Sequence, residues 1–417
     1  MPWTTDGQAL DAAREHAYSI PLDDIDVSHW DLFKTDTLWP YFERLRTEKP
    51  VHYHEQSKAG AFWSVTSFEH VRTVDIDHKR FSSEPTIGLE PLLPNETLPM
   101  FIAMDEPKHT AQRKVVQPVA APQNLTSLAP TIRQRVINIL DNLPEGEPFN
   151  WVEHVSIELT TQMLATLFDF PFEERHRLTR WSDVATAAPK SGIVESHEQR
   201  RDELYECLAY FTELRKERLQ RDEANDFLTM MAQHESTRDM APQEFLGNLL
   251  LLIVGGNDTT RNSISGGVLA MNQYPEQFTR LRANPDKIPN AVAEIVRWQT
   301  PLAYMRRTAN EDVELNGQTI RAGDRVAMWY VSGNRDESVF PNAQRLDIDR
   351  ANARQHLSFG FGIHRCMGNR VAELQLRILW EELLQRFSSI EVVGEPERAL
   401  SNFVRGYIDL PVQLTRH

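Results

Sequence analysis

The stretch FGFGIHRCMG, Phe359–Gly368, holds one of only two cysteines in a chain of 417 residues. That cysteine, Cys366, follows a His-Arg pair and lies among Gly360, Gly362 and Gly368. Glycine loses more conformational freedom on folding than any other residue. A loop this rich in it is costly and points to a backbone that must come close to the sulfur. Downstream, residues 369–387 have helical spacing: Glu373, Arg377 and Glu381 form a charged stripe at i, i+4, i+8, and apolar residues fill most of the remaining positions. The spacing predicts a largely buried helix. Cys366 then sits where a loop enters it, near free N–H groups and the positive end of the helix dipole, which favour a thiolate.

From the residues alone, three bland or rival roles stand beside a functional thiolate. A buried structural cysteine is the commoner state of a lone Cys. A nucleophile beside His364 lacks a visible third, orienting residue. Zinc would find one Cys and one His, half a site. The glycines, the donors His364 and Arg365, and a shielding ring at Phe359 argue against a merely structural thiol.

A second odd stretch is FLGNLLLLIVGGNDTTRNSISGGVLAMN, residues 245–272. It is expected to be one long helix, yet six apolar residues run straight into Gly255, Gly256, Asn257, Asp258, Thr259 and Thr260. Each interior Gly costs roughly 1 kcal/mol relative to Ala. Asp and Thr in a buried helix cost more unless they are satisfied. A tolerated kink or a close helix crossing is as good an explanation as function.

The two stretches together are similar to the cytochrome P-450 family. F-G-x-G-x-H-x-C-x-G resembles its haem-binding loop position for position, and Gly255–Thr260 resembles its oxygen-binding signature. The resemblance implies the family's fold: mainly α, one large helical domain with a smaller β-rich part, over residues 1–417. It implies haem b, with Cys366 as the axial metal ligand and His364 directed at a propionate. A thiolate ligand pushes electron density onto the iron and favours O–O cleavage. Cleaving dioxygen consumes two protons, so Thr259 is expected to hydrogen-bond the oxygen and Asp258 to relay protons from solvent. Gly255 and Gly360, with Phe359, let backbone and ring approach the cofactor. His109 and Arg113, at i, i+4 in MDEPKHTAQRK, and Arg307 in RRTANEDVEL match further propionate partners, and Arg306 is left to solvent. Glu294 and Arg297 in EIVRWQTP match a structural E-x-x-R pair, joined by Arg345 from FPNAQRLDIDR. Taken alone, such a pair is usually a solvated surface contact.

Within the family, the chain looks most like soluble bacterial enzymes that hydroxylate medium-chain alkanes and fatty acids at the chain end. Met100, Ile102, Leu251, Val254, Leu302, Met305 and Phe403 are the apolar residues expected to face the substrate, although any one of them is more often core. The same chemistry on a terpene, a steroid or an N-heterocycle is the alternative. A haem-based sensor is a more distant one, with no need for Asp258-Thr259. The expected electron source is NAD(P)H, through a ferredoxin reductase and an iron–sulfur ferredoxin, because the chain leaves no room for a flavin domain. Lys108, Lys114, Arg365, Arg370 and Arg377 are the candidate docking cations.

Composition agrees with a globular protein: 41% of residues are hydrophobic and 25% charged. Lys plus Arg is 45 and Asp plus Glu is 60, a formal charge of −15, which disfavours non-specific nucleic-acid binding. Two cysteines without a CxxC pair, and an N-terminus without an apolar signal core, suggest a reducing, cytoplasmic setting. The longest strongly apolar run, Leu249–Val254, falls far short of the ~20 residues that span a bilayer.

Elsewhere, residues 37–50, 128–143, 151–168 and 203–219 have helical apolar spacing. VHYH and AFWSV read as paired strands, Asn316-Gly317 as a type I′ hairpin turn, RVAMWYV as a buried strand, and 334–354 as loop. The first forty residues carry no mechanistic signal.

Overall fold

The long segment around Leu249–Val254 is a continuous helix of 32 residues. The structure, a computed structural model, describes residues 7–90, 97–187, 192–222 and 225–417. The helices that position the site are α1 (Phe68–Ile76), α2 (Lys108–Val116), α3 (His176–Thr186), α4 (Pro242–Gln273), α5 (Ile288–Gln299) and α6 (Asn369–Arg386). The main sheet uses β1 (Val51–His54), β2 (Phe62–Val65), β3 (Phe81–Ser82) and β4 (Met305–Ala309); β5 (Val313–Leu315) and β6 (Gln318–Ile320) form a separate hairpin, and β7 (Arg325–Met328) returns to the sheet. Its strand order is β1-β2-β7-β4-β3, with β2 and β7 parallel and the other pairs antiparallel. The fold is mainly α with a smaller β-rich part, as expected.

Helix α4 is the hub. In its C-terminal half, Ile264, Val268 and Leu269 pack in one core with Ile295 and Val296 of α5 and Leu379 of α6. Small residues permit this approach: a Cβ on Gly266 would stand 2.2 Å from Gln299 Oε1, and one on Gly267 3.2 Å from Ile295. In its N-terminal half, Leu249, Leu250 and Ile253 join a second core with Trp181 of α3 and Val371 of α6. The helix that follows the cysteine loop is thereby anchored to both halves of α4.

β1 and β2 pair antiparallel in the register Val51↔Val65, and Asn316 and Gly317 have φ of +52° and +71°, the two positive values a type I′ turn needs. Two segments depart from expectation. RVAMWYV is a strand only to Met328; the chain then makes a helical turn, Tyr330–Gly333, which seats Trp329 against Phe33, Phe42 and Tyr304. The periodic stretch 151–168 opens as a π-helix, Val152–Ile157, before the α-helix Glu158–Leu167. The π segment packs on α4, where Ser156 Oγ and Ser265 Oγ share a hydrogen bond of 2.8 Å. Among the described residues, no helix is long and apolar enough to cross a membrane.

Candidate active site

The glycines of the cysteine loop answer to one neighbour, the end of α1. Gly360 and Gly362 have φ of +64° and +66°, the left-handed region that L side chains rarely adopt. A Cβ on Gly362 would stand 2.8 Å from the carbonyl oxygen of Asp75, and one on Gly360 3.1 Å from Asp75 Oδ2. The Phe361 amide donates to that same Oδ2 at 2.7 Å. The loop then closes on itself, with the Gly360 amide on the Leu357 carbonyl at 2.7 Å and the Cys366 amide on the Phe359 carbonyl at 2.8 Å.

Cys207 is buried and its thiol is driven far up by that burial. Cys366 is instead exposed, on a cleft of about 860 Å³ shared with Arg113, Lys114, Arg365 and Arg370. The surrounding protein also raises the Cys366 thiol, against the Gly368 and Asn369 amides and the Arg113 and Arg365 charges. The stabilising groups predicted for a loop-to-helix junction are present, but the protein crowded around the cleft-facing sulfur desolvates the free thiolate more than they stabilise it. Neither nitrogen of His364 hydrogen-bonds the thiol: Nε2 meets Ser83 Oγ at 2.8 Å and Nδ1 has no partner.

On α4, Leu251, Gly255 and Thr259 share a face at i, i+4, i+8 and are all left at least partly uncovered, while Leu252, Ile253, Asn257 and Asp258 are buried. A Cβ on Gly255 would meet nothing within 4 Å, whereas one on Gly256 would stand 2.7 Å from Leu164. The helix therefore borders an open space on one side only. Thr259 Oγ1 donates to the Gly255 carbonyl at 3.1 Å. Asp258 does not face solvent. Its Oδ1 accepts from Ser182 Oγ at 3.0 Å and Asn257 Nδ2 at 3.2 Å and pairs with Arg261 at 3.1 Å, while its buried Oδ2 has no partner among the described residues. Arg261 also holds Asp183 at 2.9 Å.

The residues expected to meet the two carboxylates lie together, although the two imidazoles among them are held in the neutral form. The rings of His109 and His364 are 4.2 Å apart, and among the described residues neither nitrogen of the buried His109 has a hydrogen bond, although its Nδ1 faces Glu106 Oε1 at 3.6 Å. Burial first, then the charges of Arg307, the neighbouring His109 and Arg113, holds the His364 imidazole down to about 2. Arg113 donates to the Arg365 carbonyl. Arg307 differs from expectation in one respect: its Nη2 is already engaged by Asp75 at 3.0 Å. Arg306 is also buried rather than solvated, because its β4 backbone lies between Ile87 and β7, and that burial pulls it down to about 10.

An uncovered thiol, an uncovered helix face and orphaned imidazole nitrogens beside two guanidiniums fit an iron porphyrin with two carboxylates. Among the described residues, no group of three or more His, Cys, Asp or Glu side chains is placed to hold a metal, which leaves the zinc alternative without ligands.

Glu294 and Arg297 are both fully buried, not a surface pair. Arg297 Nε and Nη2 donate to the two carboxylate oxygens at 2.7 and 2.8 Å, and its Nη1 reaches the Asn334 and Ala343 carbonyls. The third member is Arg350, whose Nε lies 3.0 Å from Glu294 Oε1. Arg345, the residue expected there, contributes only its carbonyl to Arg297 and turns its guanidinium to Glu276 on the surface. From the triad, Asn334 carries the connection onward: its Oδ1 accepts the Leu357 amide at 2.7 Å, directly ahead of the cysteine loop.

All seven apolar candidates, Met100, Ile102, Leu251, Val254, Leu302, Met305 and Phe403, are half-buried, and Leu251, Leu302, Met305 and Phe403 pack against core clusters. Leu302 bridges Val404, and the Ala303 amide donates to the Phe403 carbonyl at 2.8 Å, so two wall segments are tied together. Of the docking cations, Lys114, Arg365 and Arg370 line the cleft at Cys366, joined by Arg354; Lys108 is instead paired with Glu244 at 3.0 Å. Sequence reasoning missed Asp75, Arg350, Ser182, Asp183 and Arg261. Only Arg261 left a signal, since D-x-x-R repeats the spacing of E-x-x-R.

A family model described as Cytochrome P450 matches residues 114–406. Linalool 8-monooxygenase of Pseudomonas putida is 35% identical over 401 residues, covering 93% of this chain and 98% of that protein. Methyl-branched lipid omega-hydroxylase of Mycobacterium tuberculosis is 31% identical, covering 94% and 95%. Among solved structures, CYP153D17 from Sphingomonas sp. PAMC 26605 is 48% identical with a TM-score of 0.89, covering 95% of this chain and 100% of that one.

Proposed function

The chain belongs to the cytochrome P450 family, and from that premise we propose that it hydroxylates the terminal carbon of medium-chain alkanes or fatty acids. Membership makes it an oxidoreductase, a haem-thiolate monooxygenase that acts on an apolar substrate with O2. Haem on a cysteine thiolate supplies the oxygen-activating chemistry. Cys366 is the ligand we assign, held by the loop that α1 and the Glu294 triad shape. His109, Arg113, Arg307 and His364 are the residues assigned to its carboxylates.

The remaining steps belong to side chains. Thr259, on the open face of α4, would hold a water there. Asp258 passes protons toward it; its free Oδ2 is the atom that accepts and releases them, and Arg261 and Ser182 keep Oδ1 in place. The seven half-buried apolar residues come from four separate segments and support a hydrocarbon-facing wall. The partial exposure of these seven apolar side chains is the observation on which the substrate class rests. A primary C–H bond is stronger than a secondary one, so terminal selectivity has to come from a wall that presents only the chain end. Leu251, Leu302 and Phe403 are assigned that narrowing. The omega-hydroxylase name of one relative accords with attack at a chain end. The linalool 8-monooxygenase favours a second reading, an acyclic terpene.

Electrons come from NAD(P)H through a ferredoxin that docks at the basic cleft beside Cys366, and the chain works as one catalytic domain in the cytoplasm. The test is a titration of the ferric protein with linear alkanes and fatty acids of graded length, linalool and a steroid, following the spin state. A shift confined to the linear chains is expected; a shift given only by the cyclic compound overturns the assignment. Leu302→Ala should move product toward in-chain alcohols, read by product analysis.

A further inference from the structure

The carboxylate of Asp75 is buried at the end of α1, 2% exposed, and has no part in the chemistry above. It accepts three hydrogen bonds: from Arg307 Nη2 at 3.0 Å on Oδ1, and from the Tyr330 hydroxyl at 3.1 Å and the Phe361 amide at 2.7 Å on Oδ2. Two of these donors belong to opposite sides of the site. Phe361 lies in the cysteine loop; Arg307 lies on β4 and is the first charge acting on His364. A side chain at Gly362 would collide with the Asp75 carbonyl, and one at Gly360 would press on its carboxylate. The curve of the loop is thus moulded on this one residue.

We propose that Asp75 is a positioning residue for the haem-thiolate centre, clamping the cysteine loop through the Phe361 amide while holding Arg307 in a neutral ion pair. This rests on Cys366 being the iron ligand. The electrostatics follow from Coulomb's law. With Asp75 ionised, the pair adds no net charge to a cluster that already contains Arg113. Without it, the cluster beside His364 gains one unit of positive charge, and a positive charge favours the form of a redox centre that carries one more electron. Burial pushes the Asp75 carboxyl up, but Arg307, the amide and the phenol oppose this.

The test uses the haem-loaded protein and compares wild type, Asp75→Asn, the double variant Asp75→Asn/Arg307→Gln, and Asp36→Asn. Asp36 is a buried carboxylate held by Arg398 and Arg405, remote in role from the loop, and serves as the control. Readouts are the ferric/ferrous midpoint potential, the rate of haem transfer to apomyoglobin, and the carbonyl band of the reduced protein. In Asp75→Asn the potential should rise and haem loss should quicken on the order of tenfold or more, as expected for a hydrogen bond to a charged group. The double variant should return the potential to the wild-type value. An unmoved potential in Asp75→Asn, no reversal in the double variant, or an equal rise in Asp36→Asn overturns the proposal. If Asp75→Asn takes up no haem, Tyr330→Phe carries the test, since it removes one bond and no charge. Several-fold faster haem loss at unchanged potential is expected there, and a wild-type rate overturns the idea. Failure of the thiolate assignment looks different: the wild-type carbonyl band itself would lack the thiolate signature.

Discussion

Two buried acid–arginine pairs at i, i+3 make an instructive contrast. On α5, Glu294 faces Arg297; on α4, Asp258 faces Arg261. Both carboxylates are essentially inaccessible. Glu294 is saturated: Arg297, Arg350 and the Asp347 amide use both its oxygens. Asp258 is not: three donors crowd Oδ1 while Oδ2 has none. A buried polar atom left without a partner costs free energy that a purely structural pair would avoid. The saturated pair is a lock, and the unsaturated one has an atom to spare for a proton.

The contrast is broken most directly at the lock. Glu294→Gln leaves Arg297 and Arg350 buried without a counter-charge and should cost about 3–5 kcal/mol of stability, with haem lost on purification; denaturant unfolding and haem content measure both. Asp258→Asn should do the opposite. Arg261 keeps Asp183, so the loss of stability should be well below that of Glu294→Gln. Turnover should drop by roughly 10²–10⁴, the usual worth of a positioned proton-transfer group, with haem content unchanged. Equal stability losses in the two variants would erase the distinction.

A third buried pair sharpens it from the side of cost alone. His52 and His54 meet edge to face with ring centroids 4.6 Å apart, and among the described residues neither nitrogen of His52 is hydrogen-bonded. Burial lowers their imidazoles from 6.5 to about 4 and about 3. Because the unfolded chain takes up these protons first, stability should be level above pH 6.5 and fall as pH drops from there toward about 4. Unfolding measured across that range should show the decline, and His52→Asn should make it shallower. The smallest effect belongs to Arg345→Ala. Its pair with Glu276 is exposed, so the change should stay within roughly 0.5 kcal/mol, while Arg350→Ala approaches the loss of Glu294→Gln.

Much of the site was legible because its signals are local. The spacing from Phe359 to Gly368 lies within ten residues, and a loop that must turn in the left-handed region near a sulfur can be written in few ways. On α4 the glycine pair was legible but its use was not: Gly255 borders open space, whereas Gly256 makes room for Leu164. Arg350 was not legible: it and Arg345 are two arginines five apart in an irregular segment, and nothing in periodicity tells which one turns inward. Asp75 was beyond reach for a different reason, since its partner Phe361 lies 286 residues away.

The sequence by itself determined the local elements: which loop carries the exposed cysteine, which helix is interrupted by glycines, and which turn closes the hairpin, since each depends on backbone conformations that a few adjacent residues permit or forbid. Only the tertiary structure decided which charges are buried, which arginine completes the triad, and which oxygen of Asp258 goes without a partner. Those outcomes depend on what other segments bring within about 3 Å, and burial and hydrogen-bond saturation are properties of the packed chain rather than of any stretch of it.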